Sequence, residues 1–353
     1  MDDTAARNPQ RQQFYKTIDK SSMTPLWEVL ANLVTKEPVS PAKPHIWRYD
    51  DVRPYVMEAG RLITAKEAER RVLILENPGL RGQSRVTHSL YAGLQLIMPG
   101  EIAPAHRHAA SALRFIIEGK GAYTAVDGEK TLMSEGDFVI TPPWTWHDHG
   151  NDSDRPMVWM DGLDVPLVNV LDTSFLEHFP KDEQPLSRPV DYSPDMYGGN
   201  VVPLGYEKQG NCSPIFNYPY AKTRETLEKM RKYERWDPCH GLKVQYIDPT
   251  TGDFAMPTIG TFMQLLPKGF KTVSYRSTDG TVYSPVEGKG RTVVAGQAFE
   301  WKPKDVFVVP SWLPHYHEAD ADAVLFSFSD RPVQKKLGLW REQRGNEPAS
   351  APH

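Results

Sequence analysis

Three imidazoles at close spacing are the first chemistry the sequence offers. His106 and His108 stand two apart in Pro104-Ala105-His106-Arg107-His108, and His147 closes Pro142-Pro143-Trp144-Thr145-Trp146-His147. In a strand, side chains two residues apart share a face, so the first pair points one way. His147 follows the apolar run Asp137-Phe138-Val139-Ile140, which reads as a second strand. If both strands line a small barrel, three neutral nitrogens meet, a ligand set suited to a first-row metal with one side open to substrate. His149, two residues further on, faces as His147 does; it is expected to hydrogen-bond substrate or bound oxygen, or to move a proton near neutral pH. Asp161 is expected to orient a ligand or His149 from behind. Arg114 has the parity of His106 and His108 and points inward if the strand runs on unbroken. A guanidinium there needs an anion, either a substrate carboxylate or a salt bridge to Asp161 or Asp164.

Many short strands must position these groups. From Arg71 to Met160 apolar runs (71–75, 90–98, 113–117, 123–126, 138–141, 157–160) alternate with turn signals such as Pro99-Gly100, Asp127-Gly128 and Gly136-Asp137. That pace predicts an antiparallel sandwich or barrel. Ahead of it, apolar residues at helical spacing from about Gln10 to Val34, broken at Thr24-Pro25, predict a helical arm, and 50–59 another short helix. Beyond Asp164 lies a Pro/Gly/Asn-rich stretch holding one predicted helix, 223–233, and enough aromatics to be packed rather than a disordered linker. Strand signals resume from Leu242 to Phe328, and there the chain repeats itself. Glu118-Gly119-Lys120-Gly121 recurs as Glu287-Gly288-Lys289-Gly290, and Pro142-Pro143-Trp144-Thr145-Trp146-His147-Asp148-His149 as Pro310-Ser311-Trp312-Leu313-Pro314-His315-Tyr316-His317. Two matches in order at offsets of 169 (287 minus 118) and 168 (310 minus 142) imply a duplicated domain. Shifted by 169, His106 and His108 fall on Tyr275 and Ser277. The first copy is therefore expected to hold the metal, with His315 and His317 in core or hydrogen-bonding roles. The expected organisation is an arm over 1–68, barrels over 69–166 and 241–331, a connecting segment over 167–240, and a tail over 332–353.

The formal net charge of −4 offers no basic field for nucleic acid. Neither a leader pattern nor eighteen consecutive apolar residues occurs, and Cys212 and Cys239 are the only cysteines, so a cytoplasmic protein without disulfides is expected.

The first copy resembles the cupin family: Gly100, five residues, His106-x-His108, later Gly121; then Gly136, five residues, Pro142, with His147 and Asn151. It departs from that pattern where a glutamate ligand would follow His108, since Ala112 and Leu113 stand there, and where Trp144 replaces the common glycine. Together with Arg114-Phe115-Ile116-Ile117-Glu118-Gly119, Trp159-Met160-Asp161-Gly162-Leu163-Asp164, Glu76-Asn77-Pro78-Gly79-Leu80 and Tyr91-Ala92-Gly93-Leu94-Gln95, the chain from about Pro25 to Leu339 resembles the gentisate 1,2-dioxygenase family. These are bicupin ring-cleaving enzymes that include salicylate and 1-hydroxy-2-naphthoate dioxygenases. The resemblance implies an all-β dominated fold of two tandem cupin barrels, Fe(II) on His106, His108 and His147, and a homotetramer. It places Arg114, Gln95, Tyr91 and an arginine near Arg70 or Arg71 at the substrate; core packing is the alternative for Tyr91 and Gln95, and sequence does not choose between the two arginines. Gentisate and O2 giving maleylpyruvate is the implied reaction. Salicylate or 1-hydroxy-2-naphthoate as substrate, a cupin isomerase, and a non-catalytic binding module are the alternatives.

Overall fold

The computed structural model describes residues 8–199, 201–233 and 235–346. Two compact units divide the chain, one running to Val39 and the other from Ser40. In the first unit the break at Thr24-Pro25 separates helices Pro9–Asp19 and Leu26–Leu33. Asn8 caps the first helix through the amides of Gln10 and Arg11, and Trp27 Nε1 donates to Tyr15 Oη at 2.7 Å to join the two.

The second unit carries the strands. β1 (His45–Trp47) precedes a helix, Tyr49–Leu62. Then come β2 (Val72–Ile74), β3 (Tyr91–Ile97), β4 (Ile102–His108), β5 (Ala112–Glu118), β6 (Lys120–Val126), β7 (Glu129–Ser134), β8 (Phe138–Thr141), β9 (His147–Asn151) and β10 (Met157–Leu163). The connecting stretch holds β11 (Leu176–His178), β12 (Asn217–Tyr218) and a helix, Tyr220–Arg231. The repeat supplies β13 (Leu242–Gln245), β14 (Gly260–Leu266), β15 (Tyr275–Ser277), β16 (Thr281–Glu287), β17 (Gly290–Val294), β18 (Gln297–Trp301), β19 (Val306–Val309), β20 (His315–Ala319) and β21 (Ala323–Ser329), and β22 (Glu342–Arg344) follows. Sheets ordered β12-β8-β5-β10-β3-β2 and β11-β4-β9-β6-β7 form the first barrel; β1-β19-β16-β21-β14-β13 and β18-β17-β20-β15-β22 form the second.

Strands of the larger sheets are apolar on both faces because one face lines its own barrel while the other packs on the second barrel. β5, β14 and β21 are buried along nearly their whole length, and the Phe115 and Phe326 rings stack at 4.0 Å across the join. One continuous cluster, including Leu94, Phe115, Phe138, Met263, Phe326 and Phe328, therefore serves both barrels.

Four short strands complete these barrels from outside the expected boundaries. β1, within 1–68, pairs with β19; β11 and β12, within 167–240, pair with β4 and β8; β22, within 332–353, pairs with β15. At two or three residues each they are too short to show alternation in sequence, yet they cover strand edges that would otherwise lie unpaired. The stretch 1–68 is thus not helical throughout.

Candidate metal centre and substrate cavity

His106 on β4 lies directly opposite His147 on β9, and directly opposed residues of an antiparallel pair point to the same side. His108 has the parity of His106, so all three face inward. Their ring centroids stand 5.4, 4.6 and 4.8 Å apart, and one nitrogen from each lies within 4.8 Å of the others. His108 Nδ1 and His147 Nδ1 sit 2.8 and 3.0 Å from the carbonyl oxygens of Ala110 and Thr145. A carbonyl only accepts, so each Nδ1 carries the proton and Nε2 presents a lone pair. His147 Nε2 is buried with no hydrogen-bond partner. Burial pushes all three imidazoles below their ordinary pKa, His108 to about 4, so the cluster is uncharged at pH 7. Neutral donors, one of them orphaned, without a carboxylate among them fit a divalent first-row metal, and these three residues could hold one.

A cavity of about 270 Å³ opens over the trio, with Arg70, Arg114, Asp161, Tyr91 and Gln95 in its wall. Arg114 on β5 faces Asp161 on β10. Its Nε is 3.7 Å from Asp161 Oδ1, its Nη1 donates to Thr141 Oγ1, and both residues are almost wholly buried. Both candidate partners of this guanidinium are thereby resolved: Asp161 is close, whereas Asp164 is engaged by the Ser111 amide and by Thr258. The premise that brought Arg114 inward does not hold, because the chain turns between β4 and β5 and the two strands lie in different sheets. The side chain reaches the cavity from the facing sheet instead.

Burial lowers the Arg114 guanidinium to about 10 and raises the Asp161 carboxyl to about 6, so this pair does not fully satisfy itself. Asp161 also accepts from Trp159 Nε1 at 2.9 Å; among the described contacts its partners are Trp159 and Arg114 rather than His149. Burial and the neighbouring Arg114 charge push Arg70 down to about 9, and its Nη1 is held by the carbonyls of Glu69 and Pro104 at 2.9 Å. Arg71, the alternative to Arg70, points the other way: it binds Glu101 and the Ile63 carbonyl, away from the cavity. The two residues precede β2, at a tight turn closed by the Val72 amide on the Arg70 carbonyl, and of the pair Arg70 lines the cavity.

His149 lies behind the trio rather than in the cavity wall. It is wholly buried, with its ring 5.9 Å from that of His147 and its Nδ1 3.0 Å from Thr124 Oγ1, while Nε2 has no partner. Burial holds its pKa well below the ordinary value, and Nε2 is the ring atom left to make a further hydrogen bond. Thr292 meets His317 Nδ1 in the same way at 2.8 Å in the second barrel, where Tyr275 stands opposite His315, so the Thr–His contact is a property of the fold.

Comparison with known proteins now bears on this geometry. A cupin domain model matches residues 93–165. Gentisate 1,2 dioxygenase 1 of Aquipseudomonas alcaligenes is 60% identical, covering 95% of this chain and 96% of its own length. A 5-aminosalicylate 1,2-dioxygenase of Comamonas is 39% identical over 93% of this chain and 89% of that protein. The crystal structure of salicylate 1,2-dioxygenase from Pseudoaminobacter salicylatoxidans, determined as adducts with gentisate, superposes with a TM-score of 0.92 at 33% identity over 97% and 95% of the two chains. This chain belongs to the gentisate 1,2-dioxygenase family. Membership makes it a ring-cleaving dioxygenase with a cupin metal site, and sets the isomerase and binding-module alternatives aside. No helix among the described residues is long and apolar enough to cross a membrane.

Several cavity residues of this family member escaped the sequence reading. Leu163 shares the parity of Asp161 on β10, so alternation alone would have found it, whereas Val72 opens β2 after the turn at Arg70. Gln83, Ser84 and Arg85 come from a turn, and Val165, Pro166 and Asn169 from a short helix after β10; no periodic signal ties either segment to the histidines.

Proposed function

We propose that this chain is a ferrous gentisate 1,2-dioxygenase, taking gentisate and O2 to maleylpyruvate. One observation carries the reading: three uncharged imidazoles share a cavity with three arginines, Arg70, Arg85 and Arg114, and a single carboxyl. That balance favours an anion bearing metal-binding oxygens, and a ring carboxylate beside a hydroxyl has both.

His106, His108 and His147 hold the ion and add no negative charge, which leaves charge balance to the substrate. Ferrous iron, when bound, supplies the electron exchange between ring and dioxygen. Arg114 and Arg70 bind the carboxylate and fix the ring's direction. Tyr91 offers its hydroxyl to the second ring hydroxyl, and Gln95 hydrogen-bonds the bound ring from the neighbouring position on β3. Asp161 orients Arg114, and His149, held by Thr124 with its Nε2 unpartnered, packs beneath His147. The ring opens between its carboxyl-bearing and hydroxyl-bearing carbons, and both atoms of O2 remain in the product.

Salicylate is the second reading, favoured by the likeness to a salicylate dioxygenase. A cytoplasmic homotetramer belongs to the same proposal; the absence of disulfides among the described residues and the exposed Leu26, Leu30 and Leu33 support it. The test is oxygen uptake by anaerobically iron-loaded protein, with the ring-opened product followed by ultraviolet absorbance. Gentisate should be consumed one-to-one with O2, and His106→Ala should abolish both signals. Uptake with salicylate or 1-hydroxy-2-naphthoate but not gentisate would overturn the substrate; no uptake with any of them would overturn the reaction.

A further inference from the structure

On the outer face of β4, between the two inward histidines, Arg107 is held on three sides. Its guanidinium carbon lies 4.6 Å from the ring centroids of both Trp144 and Trp146. Its Nε and Nη2 donate to Glu177 Oε2 at 2.8 and 2.5 Å, and Glu177 is its partner across the β4–β11 pair. Trp144 sits at φ +62°, a left-handed conformation that bulky residues avoid, and its amide donates to the His108 carbonyl at 2.8 Å. The clasp thus ties the strand carrying His106 and His108 to the turn that delivers His147.

The repeat holds a one-ring version. Arg276 lies 4.5 Å over Trp312, which sits at φ +63° with its amide 2.7 Å from the Ser277 carbonyl, and Arg276 Nε donates to Gln343 across the β15–β22 pair. Offsets of 169 (276 minus 107) and 168 (312 minus 144) make these equivalent positions. Where the first copy has Trp146 the repeat has Pro314, and the cross-strand position held by Glu177 is held by Gln343. The two-ring form occurs in the copy with three histidines, and the one-ring form where Tyr275 and Ser277 replace two of them.

We propose that Arg107 is a positioning residue of the metal centre: stacked between Trp144 and Trp146 and anchored on Glu177, it fixes β4 against the 142–146 turn and so sets the separation of His106 and His108 from His147. The proposal rests on the three-histidine metal reading. Backing interactions that orient ligands are commonly as consequential for affinity as the ligand atoms they support.

The test is titration of metal-free protein with Co(II), read by its visible absorption, beside chemical unfolding of the same metal-free samples. Arg107→Met should weaken Co(II) binding by about tenfold, the lower end for a ligand-orienting contact, and Arg107→Lys should recover part of it. Trp144→Gly should weaken binding as well, although glycine suits the left-handed backbone better than tryptophan. Arg276→Met is the control: it should lower the unfolding midpoint about as much as Arg107→Met while changing Co(II) affinity less than roughly twofold, since it backs no histidine trio. Unchanged affinity in Arg107→Met, or an equal loss in Arg276→Met, would overturn the positioning role. Failure of the unmutated protein to bind Co(II) would instead overturn the metal reading itself, and the proposal with it.

Discussion

At the scale of single residues, the cavity works by keeping its charges incompletely paired. Arg114 has Asp161 at 3.7 Å, beyond hydrogen-bond reach, and its Nε has no hydrogen-bond partner. A substrate carboxylate can complete that shell; hydrogen bonds to charged groups contribute about 1.5–3 kcal/mol, or roughly ten- to a hundredfold in affinity. Arg114→Met should therefore raise KM for gentisate by roughly that factor in steady-state kinetics, while the Co(II) spectrum of the trio persists. The buried ionisable groups also make opposing contributions to stability. His106, His108 and His147 have folded pKa values below the ordinary 6.5, so the stability that depends on their neutrality is present above pH 6.5 and is lost as pH falls toward the folded values, about 4 for His108. Asp161 is raised from 3.8 to about 6, so its contribution is present below pH 3.8 and lost as pH rises through 6. Three groups outweigh one: metal-free protein should lose stability on acidification from pH 6.5 to 4. Asp161→Asn should steepen that loss, as urea midpoints measured across the interval would register.

At the scale of elements, the site depends on β4 and β9 being clamped on both sides. β11 covers the outer edge of β4, and β6 flanks β9 so that Thr124 meets His149. Gly150 in β9 makes room for this arrangement: a Cβ there would stand 2.4 Å from three atoms of the Tyr123 side chain. Gly150→Ala should cost about 1–3 kcal/mol by overpacking. Because the displaced strand carries His147, metal affinity should fall together with the unfolding midpoint. An alanine variant with native affinity and stability would show that β6 and β9 separate freely.

At the scale of the whole second unit, the two barrels share one large core in addition to the smaller cluster that each holds for itself. Phe326 of the repeat stacks on Phe115 and lies 5.8 Å from Phe138, both in the metal-bearing barrel. Phe326→Ala should lower stability by about 3–5 kcal/mol, as expected for emptying a packed aromatic site. The transition should remain single, with metal-site absorption and far-UV ellipticity lost together as denaturant is raised. Two separated transitions would mean that the barrels fold independently. The repeat thereby packs against the sheet that carries Arg114 and Asp161.

The sequence by itself determined the features that depend on local alternation and on repetition. Histidines two apart on a strand must share a face, and equal offsets between two motifs must come from two copies of one domain, so the trio, the duplicated barrel and the asymmetry between copies were legible. Tertiary structure alone decided what depends on which strands become neighbours. Arg114 reaches the cavity from the opposite sheet, not by continuing the parity of β4; Arg70 lines the cavity while Arg71 pairs with Glu101; His149 is buried beneath the cluster. The edge strands β1, β11, β12 and β22 carry too few residues for any period to appear, and they form because barrel edges nearby offer unpaired backbone groups. Alternation fixes the face of a side chain, but the choice of partner across space is made by packing, and packing is not a local property of the chain.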